Sequence, residues 1–192
     1  MKTNWWWVRH GPTHAKVFTG WRDVPADLSD IDQIKRLKSF LPKNAVLICS
    51  DLKRAVATAE VINDGKKIII DSNLREFNFG LWDGLDFNEV AKRDPIKSKD
   101  FWEKPGDISA PEGESWNMVK NRVSEAVKKY TAIYKGSNIV CVAHFGVILT
   151  QVQLALGKSP YEVLSNKIDN LSVTKIQINE KGSSLTKLNY TP

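Results

Sequence analysis

Three consecutive tryptophans and a valine, residues 5–8, end abruptly in Arg9-His10-Gly11. An apolar run of this length before a glycine predicts a buried β-strand over residues 4–9. A histidine at the end of such a strand is held rigidly, and the glycine beside it lets a ligand approach the backbone closely. The planar cation of Arg9 suits a phosphate or a carboxylate. The motif therefore indicates a nucleophilic or acid–base histidine that faces an anion.

Apolar runs alternate with amphipathic stretches along the rest of the chain. Strands are predicted at residues 4–9, 45–49, 67–70 and 139–143, with a terminal hairpin over 171–178 and 185–190. Helices are predicted after Ser29, after Ser50 or Asp51, after Ser115, and over residues 146–156. The segment 71–113 is rich in Gly, Pro and aromatic residues and is expected to be irregular. We expect one domain over residues 1–192, an α/β fold with a three-layer α/β/α sandwich and a mostly parallel sheet.

The net charge of +6 has three interpretations. A solvated surface is favoured because the lysines are scattered, and electrostatic steering of an anionic substrate comes next. Nucleic-acid binding is disfavoured, since no basic stripe with interleaved aromatic residues is present. We therefore expect no nucleic-acid partner.

The two cysteines, Cys49 and Cys141, each lie inside an apolar run. Buried thiols suit a reducing compartment, and no metal-type or redox-type cysteine spacing is present. The apolar stretch near the N-terminus is too short for a signal peptide, and no stretch is long enough to cross a bilayer. These features predict a cytoplasmic protein without membrane contact.

In parallel sheets, ligands bind beyond the carboxyl ends of the strands. The first polar residues after three predicted strands are His10, Ser50 and His144, and Arg54 follows Ser50 by about one helical turn. Arg9 and Arg54 can clamp phosphoryl oxygens through forked hydrogen bonds, and a protonated His144 can add a donor. An unprotonated nitrogen of His10 can attack phosphorus, and a carboxylic acid can protonate the leaving alcohol.

The chain resembles the histidine phosphatase superfamily, also called the phosphoglycerate mutase-like family. The resemblance rests on five blocks, which occur in the family's order between residue 5 and about residue 150. They are Val8-Arg9-His10-Gly11; Ser50-Asp51-Leu52-Lys53-Arg54-Ala55; Leu74-Arg75-Glu76-Phe77 with Phe79-Gly80-Leu81-Trp82-Asp83-Gly84; Pro111-Glu112-Gly113-Glu114-Ser115; and Val142-Ala143-His144.

The resemblance implies a role for each matching position. His10 is similar to the histidine that becomes transiently phosphorylated. Arg9, Arg54 and His144 are similar to the other catalytic and substrate-binding groups of the phosphate pocket. Glu76 matches the family's proton donor. The resemblance implies no metal and no cofactor.

One branch of the superfamily carries Asp directly after the second histidine; here that residue is Phe145, which places the chain in the branch that uses Glu as the proton donor. Two departures from the family pattern concern the substrate: the loop after Gly11 lacks an Asn that the family often carries, and the residue after the second histidine is often Gly rather than Phe. Thr13, Thr19, Gly20 and Phe145 are therefore candidate substrate contacts, and the loops over 12–28 and 84–113 are expected to set the substrate.

Several neighbouring residues have both structural and functional interpretations. Arg75 is expected to be structural, whereas Glu114 either supports a helix N-terminus or touches substrate. Trp21, Trp82 and Trp102 either belong to the core or line the mouth of the site.

His10 and His14 are spaced as in some zinc sites. Pro12 disfavours a helix there, and no cysteine or acidic cluster accompanies the two histidines. We therefore expect no metal site.

The sequence thus predicts a phosphomonoesterase that acts on a small-molecule phosphate ester. Two alternatives stay open: phosphoryl transfer of the phosphoglycerate mutase type, and a non-catalytic anion-binding or interaction module that retains the pocket. A homo-oligomer is compatible with the sequence.

Overall fold

The computed structural model describes residues 1–192 and contains one six-stranded sheet. Its strands are β1 Thr3–Arg9, β2 Ala45–Cys49, β3 Ile68–Ile70, β4 Asn138–Ala143, β5 Val173–Asn179 and β6 Gly182–Tyr190. The order is β3-β2-β4-β1-β5-β6. The first four strands are parallel, and β5 and β6 are antiparallel to their neighbours. This confirms the mostly parallel sheet.

Seven α-helices accompany the sheet. They are α1 Ile31–Phe40, α2 Lys53–Ile62, α3 Phe87–Arg93, α4 Pro95–Glu103, α5 Trp116–Ile133, α6 Phe145–Leu156 and α7 Pro160–Leu164. Helices α1 and α2 share a hydrophobic core with one face, whereas α5 and α6 share a larger core with the other. The three-layer arrangement is confirmed. None of the helices has the length and apolarity that crossing a bilayer requires.

The tryptophans of β1 are divided between the two cores. Trp5 and Trp7 are buried in the larger core with their rings stacked 5.0 Å apart. Trp6 points to the other face and meets the ring of Phe40 edge-on. Successive side chains of a strand point to opposite faces, so both faces of β1 have to be covered. The strand is thereby fixed in the middle of the sheet.

The predicted start of α1 is wrong by one residue. Asp30 is the N-cap, and its carboxylate accepts a hydrogen bond from the Gln33 amide, so Ser29 lies outside the helix. Both residue types are good N-caps, and the sequence alone does not distinguish them.

The predicted cap of α2 is also wrong. Leu52 occupies the N-cap position and makes no side-chain cap bond. The Ser50 hydroxyl accepts a hydrogen bond from the Leu52 amide, and Asp51 instead pairs with Arg75. Both polar side chains therefore organise the turn between β2 and α2.

The segment 71–113 is more regular than predicted. It contains the 3-10 turns Ser72–Leu74 and Gly80–Trp82 and the helices α3 and α4. A capping box of Asp86 and Glu89 begins α3, and Pro95 occupies the first turn of α4. These start signals are present in the sequence, but each helix is too short to show a clear apolar period.

Candidate active site

His10 follows directly on β1, and its ring is fixed by its own loop. The Nδ1 atom lies 2.7 Å from the Gly11 carbonyl oxygen, which can only accept a hydrogen bond. Nδ1 therefore carries the proton, and Nε2 keeps its lone pair. Burial, and then the cation of Arg54, lower the pKa of His10 to about 3. At neutral pH the ring is thus neutral, as a nucleophile requires.

His144 follows β4 and lies beside His10, with 5.0 Å between the ring centroids. The ring is fully buried, and neither nitrogen has a hydrogen-bond partner in the chain. Burial, with a smaller contribution from His10, lowers the pKa of His144 well below its usual range. His144 is therefore a neutral imidazole, which offers one N–H donor rather than the two of the protonated form.

Arg54 lies in the first turn of α2 and is 1% exposed. Its Nε donates to Nε2 of His10 at 3.3 Å. The two terminal nitrogens donate to the Arg22 carbonyl at 2.8 Å and to the Gly20 carbonyl at 2.6 Å. The guanidinium thus orients the nucleophile and at the same time holds the 19–22 loop against the site.

Thr19 and Gly20 contribute to the site through their backbone. The Thr19 hydroxyl donates to the Val17 carbonyl, and the Gly20 amide donates to Asp83. A Cβ on Gly20 would lie 2.2 Å from the Phe77 carbonyl oxygen. Only glycine therefore fits where this loop crosses the segment of Glu76. Thr13, the third candidate substrate contact in this loop, is half-buried, and the following residue, His14, is exposed.

The guanidinium of Arg9 is held on one side by Ile168, whose carbonyl accepts from Nη1 at 2.6 Å. Its Nε is buried and has no hydrogen-bond partner in the chain. The group lies 5.5 Å from the centre of the Phe145 ring. Burial lowers the pKa of Arg9, and the carboxylate of Glu76 opposes that shift. Arg9 is thus a desolvated cation with an unpaired donor.

The Glu76 carboxyl group lies against the N-terminus of α6. Its Oε2 accepts from the Gly146 amide at 3.1 Å, and its Oε1 accepts from the Phe77 amide at 3.0 Å. A Cβ on Gly146 would come within 2.7 Å of Oε1 and 2.5 Å of the Phe77 ring. The glycine therefore permits the close approach that fixes the carboxyl group.

Arg122, on α5, supports Glu76 from behind and was not among the sequence candidates. It donates to the carbonyls of Arg75 and Glu76 at 2.7 and 2.8 Å, and its Nε lies 2.7 Å from Glu114. Trp21 also donates to the Glu76 carbonyl, at 2.9 Å. Because an arginine on a helix is usually solvent-exposed, the sequence around Arg122 does not indicate a role in the site. The one signal that could have indicated it is its partner, Glu114. The structure does not show Glu114 supporting a helix N-terminus: Ser115 caps α5, and Glu114 pairs with Arg122 and accepts from the Asn78 amide.

A second missed element is the segment that precedes β5. The Asn170 side chain donates to the His10 carbonyl at 2.8 Å, and the Leu171 amide donates to the Arg9 carbonyl at 2.9 Å. Leu171 has a φ of +58°, a left-handed conformation that is strained for a bulky residue. The end of β1 is therefore locked by residues about 160 positions away.

The loop tryptophans have different environments. Trp82 is fully buried, and its Nε1 donates to Asp94, so it belongs to the core. Trp21 stacks on Arg75, which pairs with Asp51 as a structural residue. Trp102 lines a pocket beside Glu76.

The exposed His14 lies on the outer loop. Its Nε2 is 2.7 Å from Oδ2 of Asp27. The hydrogen bonds of Ser29, and then the contact with His14, lower the pKa of Asp27 to about 2. His14 is therefore engaged in a surface pair.

Comparison with known families gives a match over almost the whole chain. Residues 5–191 match the model of the histidine phosphatase superfamily (branch 1). The chain is 32% identical over 181 residues to phosphoglycerate mutase-like protein 4 of Arabidopsis thaliana, covering 89% of this chain and 77% of that protein. It is 24% identical over 192 residues to the adenosylcobalamin/alpha-ribazole phosphatase of Escherichia coli K12, covering 96% and 94%.

Solved structures give the same result for the fold. The structure of YhfR from Bacillus stearothermophilus superposes with a TM-score of 0.89 at 26% identity, covering 99% of this chain and 98% of that one.

In sequence, three mycobacterial proteins match over 146 residues at 30% identity, and the chain spans only 40% of their length.

Proposed function

Because the chain belongs to the histidine phosphatase superfamily, we propose that it hydrolyses a small phosphorylated metabolite through a phosphohistidine on His10. Membership makes the chain an enzyme of the histidine phosphatase type. One observation carries the proposal: the neutral ring of His10, its Nδ1 bound to the Gly11 carbonyl, lies beside buried nitrogens of Arg9 and His144 that have no partner in the chain.

Binding of the phosphate ester follows from these charges. Arg54 is a buried cation and Arg9 a half-buried one whose Nε is buried, and a dianionic phosphoryl group compensates both of them. The unpaired Nε of Arg9 and one N–H of His144 donate to phosphoryl oxygens. Because these donors are already fixed in a dry site, they stabilise the charge of the transition state without reorganisation.

The first chemical step transfers the phosphoryl group to His10. The hydrogen bond from Arg54 Nε–H to Nε2 of His10 breaks, the freed lone pair of Nε2 attacks phosphorus in line, and the bond between phosphorus and the ester oxygen breaks. Glu76, in its protonated form, gives its proton to the leaving oxygen. The product alcohol departs and leaves a phosphohistidine and a Glu76 carboxylate.

The second step is hydrolysis. The Glu76 carboxylate removes a proton from a water molecule, whose oxygen attacks phosphorus as the phosphorus–nitrogen bond breaks. Inorganic phosphate leaves, and His10 and protonated Glu76 are restored. The gain of a proton by Glu76 balances its loss in the first step.

The proposal is tested by phosphate release from p-nitrophenyl phosphate and from a panel of phosphorylated metabolites. We expect His10→Ala to reduce turnover at least about 10³-fold, since loss of a covalent nucleophile commonly costs that much or more. The matched control is His14→Ala, which removes the exposed histidine paired with Asp27 and should retain activity. Acid-labile phosphate on the rapidly quenched wild type, and none on His10→Ala, identifies the intermediate.

Two outcomes contradict the proposal. Equal turnover by wild type and His10→Ala removes His10 from the reaction. Conversion of 3-phosphoglycerate to its 2-isomer without net phosphate release indicates a mutase instead.

A further inference from the structure

An apolar pocket, here called the aromatic slot, opens beside Glu76. Its interior holds about 40 Å³, and about 400 Å³ when the open space at its mouth is counted. Its walls are six aromatic side chains from the 71–113 segment, the start of α5 and the start of α6. They are Phe77, Phe79, Phe101, Trp102, Trp116 and Phe145.

The position of the slot identifies which part of a substrate it receives. Glu76 and Gly146, which hold the carboxyl group of the donor, both line it. In the proposed reaction the leaving oxygen receives its proton from Glu76. The carbon skeleton attached to that oxygen therefore extends from the phosphate pocket into the slot.

The chemistry of the walls restricts that skeleton. Glu76 is the only ionisable group among the ten lining residues. A carboxylate or ammonium group placed in the slot would lose its hydration without gaining a partner. Phe77 and Phe79 are stacked at 5.9 Å, and Phe101 meets both edge-on at 6.3 and 6.4 Å. These rings brace one another, and aromatic faces and edges pack favourably against a further flat ring.

One of the wall residues, Trp102, carries an unpaired polar atom. The Nε1 of Trp102 is buried and has no hydrogen-bond partner in the chain. By contrast, the indole nitrogens of Trp5, Trp6, Trp21, Trp82 and Trp116 all donate to acceptors within the chain. A buried donor without an acceptor costs free energy unless a ligand supplies one.

From these observations we infer that the substrate is a phosphate ester of a flat, uncharged, aromatic-type alcohol with one acceptor atom that pairs with Trp102. The inference rests on the proposed function for the position of the phosphoryl group. It distinguishes this site from one for phosphorylated amino acids or hydroxy acids.

The first test compares kcat/KM for benzyl phosphate with kcat/KM for phosphoserine and 3-phosphoglycerate. Burial of one aromatic ring should favour benzyl phosphate by roughly 10–100-fold. Phe101→Leu should reduce this preference. The matched control is Phe40→Leu, on the opposite face of the sheet, which should leave the preference unchanged. Equal or better use of the charged esters overturns the inference while leaving the phosphatase assignment intact.

The second test concerns Trp102. Among the three methoxybenzyl phosphates, the isomer whose ether oxygen reaches Nε1 should exceed benzyl phosphate about 3–10-fold, as for one net hydrogen bond. Trp102→Phe keeps a ring but removes the donor, and it should abolish this gain. If no isomer exceeds benzyl phosphate, or if Trp102→Phe retains the gain, Trp102 has no such role.

A binding measurement separates the inference from the proposed function. Benzylphosphonate cannot be hydrolysed, and calorimetry should show that it binds roughly 10–100-fold more tightly than 2-amino-4-phosphonobutyrate, which carries both charges of phosphoserine. This result supports the slot even if no ester is turned over, which would refute only the phosphatase activity. Tighter binding of the charged phosphonate overturns the slot.

Discussion

The phosphate pocket and the aromatic slot meet at Glu76, but they are built in opposite ways. Arg9, His10 and His144 stand at the ends of two neighbouring parallel strands, and Arg54 stands in the first turn of the next helix. The slot is assembled from loops and short helices whose rings pack on one another. In the proposed function, the sheet topology positions the reacting groups, whereas the loops that cover the sheet determine which alcohol is accepted.

Glu76→Gln alters the residue that the phosphate pocket and the aromatic slot share. Of the three predictions that follow, it has the largest expected effect. The amide keeps the size of the side chain but cannot give up a proton. We expect kcat/KM for benzyl phosphate to fall roughly 10²–10⁴-fold, because an alkoxide is a poor leaving group without general acid catalysis. For p-nitrophenyl phosphate the loss should be less than about tenfold, since nitrophenolate leaves without protonation.

The leaving-group dependence is the critical readout for Glu76. Glu60→Gln, which alters an exposed carboxylate on α2, is the matched control and should leave kcat/KM for both substrates unchanged. Equal losses on both esters would assign proton donation to another group.

The second prediction concerns the dependence of stability on pH, to which the histidines of the phosphate pocket should contribute and the aromatic slot should not. Burial lowers the pKa of His10 in the folded state to about 3, from about 6.5 when unfolded, and the pKa of His144 shifts in the same direction. As the pH falls through this window, the unfolded state binds protons that the folded state rejects. From pH 6.5 to pH 4, we expect His10 to account for a loss of roughly 2–3 kcal/mol in the free energy of unfolding.

Urea denaturation of wild type, His10→Gln and the slot variant Phe101→Leu at both pH values measures this effect. His10→Gln should lose less stability on acidification, whereas Phe101→Leu should parallel the wild type. An identical pH dependence for all three proteins would mean that the histidine is not held in its neutral form.

Arg122→Gln should have a smaller effect, because Arg122 contacts the backbone carbonyl of Glu76 and not its carboxyl group. We expect kcat/KM for benzyl phosphate to fall about tenfold, as for a modest displacement of a catalytic group. The rate with p-nitrophenyl phosphate should change less. Arg93→Gln is the control, since this exposed arginine donates to the Leu81 carbonyl away from Glu76. A uniform loss on both esters would indicate a general structural defect.

The sequence predicts the phosphate pocket better than the slot for a physical reason. Strand ends in a parallel sheet converge, so the positions of His10 and His144 follow from the strand pattern and the rule for ligand sites. Arg122 and Asn170 reach the site through contacts with backbone carbonyls far along the chain, and no local periodicity reports such contacts. The sequence predicts that Arg54 makes forked hydrogen bonds to a phosphoryl group. In the structure its terminal nitrogens donate instead to the carbonyls of Gly20 and Arg22, and no local periodicity reports these contacts either.

The sequence does not predict the aromatic slot for a related reason. Helices α3 and α4 are only 7 and 9 residues long, and tertiary packing rather than periodicity determines them. The resemblance indicated the roles of Glu76 and the pocket residues, and those roles stay predictions until the variants are measured. The single-domain organisation over residues 1–192 is likewise still a prediction.

The lock that Asn170 and Leu171 place on the end of β1 has a consequence for synthesis. Strand β1 leaves the ribosome before its neighbours β4 and β5, which are translated more than 120 residues later. Since sheet contacts between distant segments form only when both are present, a partly made chain cannot position Arg9 and His10. The pocket therefore becomes competent only after the chain has been translated through β5, Val173–Asn179.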